Sequence, residues 1–165
     1  MTLIVSKPQS HFEPAPEGLY QAVCVDVVDK GPVETSFGVK DMVEIRWQLD
    51  EKNSKGYRYE VRSRYSKSLG QKARLRQMLE VWRSKKFTPE ELQGFDLEKL
   101  IGVNCQVQIQ HAPAPEGDVY ANVTAVVPAP RGGVPIQAEN YTREKDRAQS
   151  GQTVKPEPGE DDVPF

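Results

Sequence analysis

The sequence predicts an all-β domain with one inserted helical segment, in the order β-β-β-α-β-β, followed by a disordered acidic tail. Three observations predict it. One apolar run is followed by four segments that place apolar residues at every second position, one central segment lengthens that recurrence to helical spacing, and the remainder after Pro128 is rich in Pro, Gly and charge without any period. A chain of 165 residues, 37% of them hydrophobic, accommodates one domain over residues 1–130, with residues 131–165 outside its core.

After a lead-in containing Pro8, Pro14 and Pro16, an apolar run from Leu19 to Val28 reads as the first strand, and Asp29 to Gly38 as a loop. Met42 to Leu49 alternates. Val43, Ile45, Trp47 and Leu49 share one face, while Met42, Glu44, Arg46 and Gln48 share the other, the mark of a half-buried strand. Glu51 to Gly56 suits a hairpin turn. Tyr57 to Tyr65 then alternates tyrosines, in phase with Val61 and assigned to the core, against arginines.

Leu75, Met78, Leu79 and Trp82 fall at i, i+3, i+4 and i+7, the stripe of an amphipathic helix. Thr88-Pro89-Glu90-Glu91 forms a capping box with proline at the first helical position, and Asp96 to Ile101 makes a further short helical turn before Gly102. Asn104 to Gln110 sets Cys105, Val107 and Ile109 against glutamines. Val119 to Val127 aligns Val119, Ala121, Val123 and Ala125, with a loop from Ala112 to Asp118 between these two strands. Trp47 and Trp82 are in phase with apolar neighbours and belong to the core.

This order is that of the OB-fold, a five-stranded Greek-key barrel with a helix between its third and fourth strands, in which closure gives every strand one apolar face. An open antiparallel sheet with the helix laid across one face fits the same string.

No apolar run approaches the ~20 residues needed to span a bilayer, and Met1 to Val5 is too short for a signal peptide, so a cytoplasmic location is expected, that of the host cell if the protein is phage-encoded. Cys24 and Cys105 lie in apolar strands and are expected as buried free thiols. Zinc wants four ligands, usually in close pairs, and His11 and His111 stand alone, so neither a metal site nor a cofactor is expected. The chain has no phosphate-cradling glycine loop, no H-E-x-x-H motif and no histidine beside a nucleophile, so a non-enzymatic role is expected.

The formal charge is −2, but it is unevenly spread. Between Tyr57 and Lys86 ten basic residues face only Glu60 and Glu80, a net +8 that leaves −10 for the rest. Such asymmetry points to a polyanion partner on a basic surface. Alternation puts Arg46 on the outer face of strand two and Arg58, Arg62 and Arg64 on that of strand three, where OB-folds hold oligonucleotides. Lys67 follows strand three, and Lys72 and Arg76, with Arg83, flank the helix stripe. Aromatic platforms hold unpaired bases. Phe37, in a polar loop, and Tyr120, pointing out with Asn122 and Thr124, are the candidates. A solvated surface of local ion pairs, such as Arg76 with Glu80, is the plainer reading of the same arginines.

The tail ends with Glu157, Glu160, Asp161 and Asp162, then Val163-Pro164-Phe165, acids before an apolar tip that suit docking into a basic-rimmed apolar pocket of a protein partner. Asp161-Asp162-Val163-Pro164-Phe165 resembles the Asp-Asp-Ile-Pro-Phe-type tip of bacterial single-stranded DNA-binding proteins, with valine for isoleucine. Glu17-Gly18-Leu19-Tyr20, Phe95 to Gly102 and Tyr120-Ala121-Asn122-Val123 are similar to small bacteriophage replication proteins of that class. The resemblance implies an OB core that coats single-stranded DNA during replication, recombination or repair and a tip that recruits replication or recombination proteins; the residues leave a homo-oligomer open as a further partner. A mediator acting through protein contacts on the same barrel is the alternative.

Overall fold

A computed structural model describes residues 14–113 and 119–150. Strands β1 (Gly18–Thr35), β2 (Gly38–Lys52), β3 (Arg58–Ser66), β4 (Asn104–Pro113) and β5 (Val119–Pro128) form one antiparallel sheet in the order β3-β2-β1-β4-β5. Between β3 and β4 lie α1 (Arg74–Arg83), α2 (Pro89–Gln93) and a 3₁₀ turn, Leu97–Leu100; α3 (Glu144–Ser150) follows β5. No helix among the described residues is long and apolar enough to cross a membrane.

The alternation read from the sequence sets the core. Val43, Ile45, Trp47 and Leu49 of β2 face Cys105, Val107 and Ile109 of β4 and the α1 stripe of Leu75, Leu79 and Trp82, all buried in one cluster. Strand β1 joins the two halves: Ala22 pairs with Leu49 on one side and Cys105 on the other. The sheet curls until its two ends face each other, with Arg62, Ser63 and Arg64 of β3 and Asn122, Val123 and Thr124 of β5 lining one cleft. Cys24 and Cys105 are buried and free; burial pushes the Cys24 thiol up to about 12 and raises that of Cys105 as well.

Local signals determine several boundaries. The Thr88 hydroxyl accepts from the Glu91 amide at 3.1 Å while the Glu91 carboxylate accepts from the Thr88 amide at 2.9 Å, completing the capping box. Asn53 turns the β2–β3 hairpin by accepting from the amides of Lys55 and Tyr57, and Gly56 supplies the positive φ of +88° that this turn requires.

Four readings from the sequence are corrected. The loop expected over Asp29 to Gly38 is strand: β1 runs to Thr35 and leaves only Ser36 and Phe37 between it and β2. A register shift at Asp29/Gly31 absorbs the glycine, and a separate one at Cys24/Asp26 precedes it. Pro32 is tolerated because β4 pairs β1 only as far as Val23, so this stretch has one neighbour and no ladder bond to lose on its outer edge. On β5, a register shift opposite Gln108/Ile109 inserts a residue and reverses the alternation, so that Val126 rather than Ala125 enters the core. Tyr57 stands out in solvent, whereas Tyr59 and Tyr65 pack as expected. Finally, part of the stretch after Arg131 that composition assigns to a disordered tail lies against the sheet, as described below.

The two tryptophans pack at 6.1 Å between ring centroids, tilted by 54°. Trp82 Nε1 donates to the Asn104 carbonyl at 3.0 Å, while Trp47 Nε1 finds no acceptor among the described residues. Both W47F and W82F remove similar volume, but only W82F strands a carbonyl. Urea unfolding is therefore expected to show W82F as the more destabilised of the two, by about 1 kcal/mol.

Candidate nucleic-acid interface

The outer face of the sheet is built by the residues that alternate with the core. Arg46 pairs with Arg62 across β2 and β3, Glu44 with Arg64, and Lys52 with Arg58. The four arginines expected on this wall are thus brought together. They are not an open basic patch, and this corrects the expectation of a free electropositive face.

Glu44 sits among them with its side chain fully buried, accepting from Arg46 Nε at 2.6 Å and Arg64 Nε at 2.9 Å, with Arg62 Nη1 at 3.6 Å. Burial alone would raise its pKa; the guanidinium groups of Arg64 and Arg46 outweigh that and hold it below the usual carboxylate range. Arg46 itself is 6% exposed. Burial disfavours its charge, but bonds to Tyr141, Glu44 and Glu144 raise its pKa further. Period-two alternation correctly assigned Arg46 to the outer face but could not show that another part of the chain covers that face.

The cover is the segment from Val134 to Arg147. The Val134 carbonyl accepts from Gln21 on β1, and both backbone groups of Ile136 bond the Asn104 side chain. Both backbone groups of Glu139 bond the Gln48 side chain, and its carboxylate meets Arg58 at 3.0 Å and Lys52 at 3.6 Å. Beyond it, Asp26, 1% exposed, accepts from the Tyr141 hydroxyl at 2.6 Å, Arg143 Nε at 2.9 Å and the Glu144 amide at 2.9 Å. Arg143 also grips both oxygens of Glu98. Burial raises the Asp26 pKa, but the Tyr141 hydroxyl, the Glu144 amide and Arg143 together draw it below its ordinary value. Tyr141 is correspondingly pushed up to about 12, first by burial and then by Asp26.

Other expected contacts lie apart from this wall. Lys67 is held by both oxygens of Asp29 at 3.1 Å, and Arg76 by Glu80 at 3.2 Å, the local i, i+4 pair. Lys72 is exposed in the loop before α1. Phe37, at the tip of the β1–β2 hairpin, is 85% exposed, and Tyr120 on β5 is 56% exposed. Residues 161–165, the expected partner-binding tip, lie outside the described residues.

What remains open is the cleft between the sheet ends, about 440 Å³, lined by Arg62, Arg64, Arg74, Ser63, Asn122 and Thr124. The side chains of Arg62 and Arg64 are about half exposed there, and Arg74 also stands 5.2 Å from the centre of the Tyr65 ring. Three guanidinium groups with hydroxyl and amide donors are the chemistry that binds phosphate. Arg74 entered the sequence reading only as a charge, and Ser63 not at all, because their meeting with β5 requires the sheet to curl. Asn122 and Thr124 were legible as outward residues.

Because Glu44 and Asp26 bind a proton less readily folded than unfolded, the stability they contribute is complete above about pH 5 and is lost as pH falls through their ordinary values and then their depressed folded values. Acid titration followed by circular dichroism is expected to show this loss. E44Q, which leaves clustered guanidinium groups without their shared counter-charge, is expected to lower unfolding stability by about 3 kcal/mol in urea. Neither protein-family models nor curated protein sequences match this chain.

Proposed function

We propose that the protein is a non-enzymatic single-stranded DNA-binding protein of OB type, coating strands without strong sequence preference during replication, recombination or repair. The observation that carries this reading is the cleft of Arg62, Arg64 and Arg74 with Tyr120 beside it. Tyr120 lies two residues along β5 from Asn122, a lining residue, and therefore on the same face of that strand. Phosphate groups are held by guanidinium donors and bases by an exposed ring; the cleft supplies the first and Tyr120, further along the same face of β5, supplies the second.

The OB assignment is supported by the strand order β3-β2-β1-β4-β5, by the approach of β3 to β5 across the cleft, and by the helix inserted between β3 and β4. Phe37 on the β1–β2 turn and Tyr120 next to the β4–β5 loop fall on the two loops that flank the oligonucleotide path of such barrels. The acidic tip, residues 161–165, is proposed to recruit replication or recombination proteins.

The carboxylates that pair with the arginines favour a second reading, a mediator that works mainly through protein contacts. Salt dependence separates the two. A strand coater binds oligo-dT with affinity that falls steeply as salt rises. In fluorescence titrations, R62A/R64A is expected to weaken oligo-dT binding and to flatten the salt slope by about 1 for each phosphate that the variant no longer engages, and Y120A to cost about 1–3 kcal/mol with the slope unchanged. Absence of salt-dependent binding by the unaltered protein would favour the mediator. Truncation after Gly159 is expected to leave strand binding equal or tighter while abolishing capture of partner proteins.

A further inference from the structure

The covered wall of the sheet divides into two parts of different character. Residues 141–144 are fixed by buried charge: Asp26 accepts three bonds from them, and Arg143 adds two bonds to Glu98 and one to the Val27 carbonyl. Removing that anchor would leave the Asp26 carboxylate without its guanidinium partner. Residues 134–139 are held otherwise, by the neutral side-chain amides of Gln21, Gln48 and Asn104, by Arg58 Nη1 donating to the Gln137 carbonyl at 2.9 Å, and by the ion pairs of Glu139 with Arg58 and Lys52. No residue from 131 to 147 is buried, so no apolar anchor fixes the span.

The span is also bracketed by two backbone positions with left-handed geometry. Gly132 has φ +74° on one side and Asn140 φ +51° on the other. Glycine and asparagine are the residues that adopt this region most readily, and such positions absorb large changes of chain direction.

From these observations we infer that residues 134–139 form a hinged strap lying in the path of the DNA strand, which an incoming strand lifts while Arg143 keeps its far end tethered. The inference rests on the single-stranded DNA reading above. The groups that the strap occupies are those a strand can use in its place. Arg58 and Lys52 exchange the Glu139 carboxylate for phosphate, one charge-assisted contact for another. The amides of Gln21, Gln48 and Asn104, each donor and acceptor, exchange peptide groups for base edges, sugar hydroxyls or water. This exchange leaves the buried charges at Asp26 and Glu44 paired, so lifting the strap does not require the fold to open. It also adds Arg58 to the guanidinium groups already exposed in the cleft, lengthening the track along β3, while the freed amides of Gln48 and Gln21 continue it across β2 to β1.

The test uses the full-length chain with oligo-dT, read by hydrogen exchange and by fluorescence titration. Bound oligo-dT is expected to speed amide exchange in 134–140 while leaving 141–144 protected. E139Q, a change on the surface of the strap, is expected to bind oligo-dT about three- to tenfold more tightly because the open fraction rises. Oligo-dT bound with exchange in 134–140 unchanged or slowed, or with E139Q no tighter, overturns the strap and leaves strand binding standing. Failure of both proteins to bind oligo-dT at low salt overturns the functional reading, and the strap with it.

Discussion

Glu44 is the point from which the outer wall is organised. A carboxylate placed at the centre of a strand, with no exposure of its own, is tolerable only if cations reach it. Arg46, Arg62 and Arg64 do so from two strands, and the wall becomes a charged surface whose parts hold one another in register. Arg46 then has further donors to satisfy, and Tyr141 and Glu144 meet them. One ionic attachment of the segment after β5 thus traces back to a charge buried in β2, and another to Asp26 of β1. A neutral residue at 44 would leave the arginines mutually repelled and the covering segment held at Asp26 without the support of a neutralised Arg46.

Much of the architecture was legible because it depends on local period. Trp47, in phase with Val43 and Ile45, could only be core, and the capping box at Thr88 announced its helix by side-chain chemistry alone. What escaped the sequence depended on geometry between distant segments. The register shift in β5 exchanged Ala125 for Val126, and a single inserted residue leaves no compositional trace. The long β1 was concealed because Gly31 and Pro32 are turn residues in most settings, and only the lack of a second neighbour makes them harmless here.

The site was legible in the same measure. Alternation assigned Arg46, Arg58, Arg62 and Arg64 to one wall, since a face is a local property. It could not say that Glu139 and Glu144, some eighty to a hundred residues later in the chain, would return to them. The segment 134–147 has neither apolar period nor buried residues, so composition read it as tail. Its attachment lies in polar pairings, which follow no period.

The β1–β2 hairpin extends past both of its flanking strands: β4 pairs β1 only as far as Val23 and β3 pairs β2 only from Met42, so Pro32 to Thr35 and Gly38 to Asp41 have only each other as ladder partners. A two-stranded ribbon of this kind carries bare backbone along both margins, an invitation to stacking with other chains. Pro32 removes one donor from that margin, and Lys30, Glu34 and Lys40 set charges along it. The projecting arm is thereby guarded against edge-to-edge aggregation, and Phe37 can stand exposed at its end without turning the ribbon into a template for fibres.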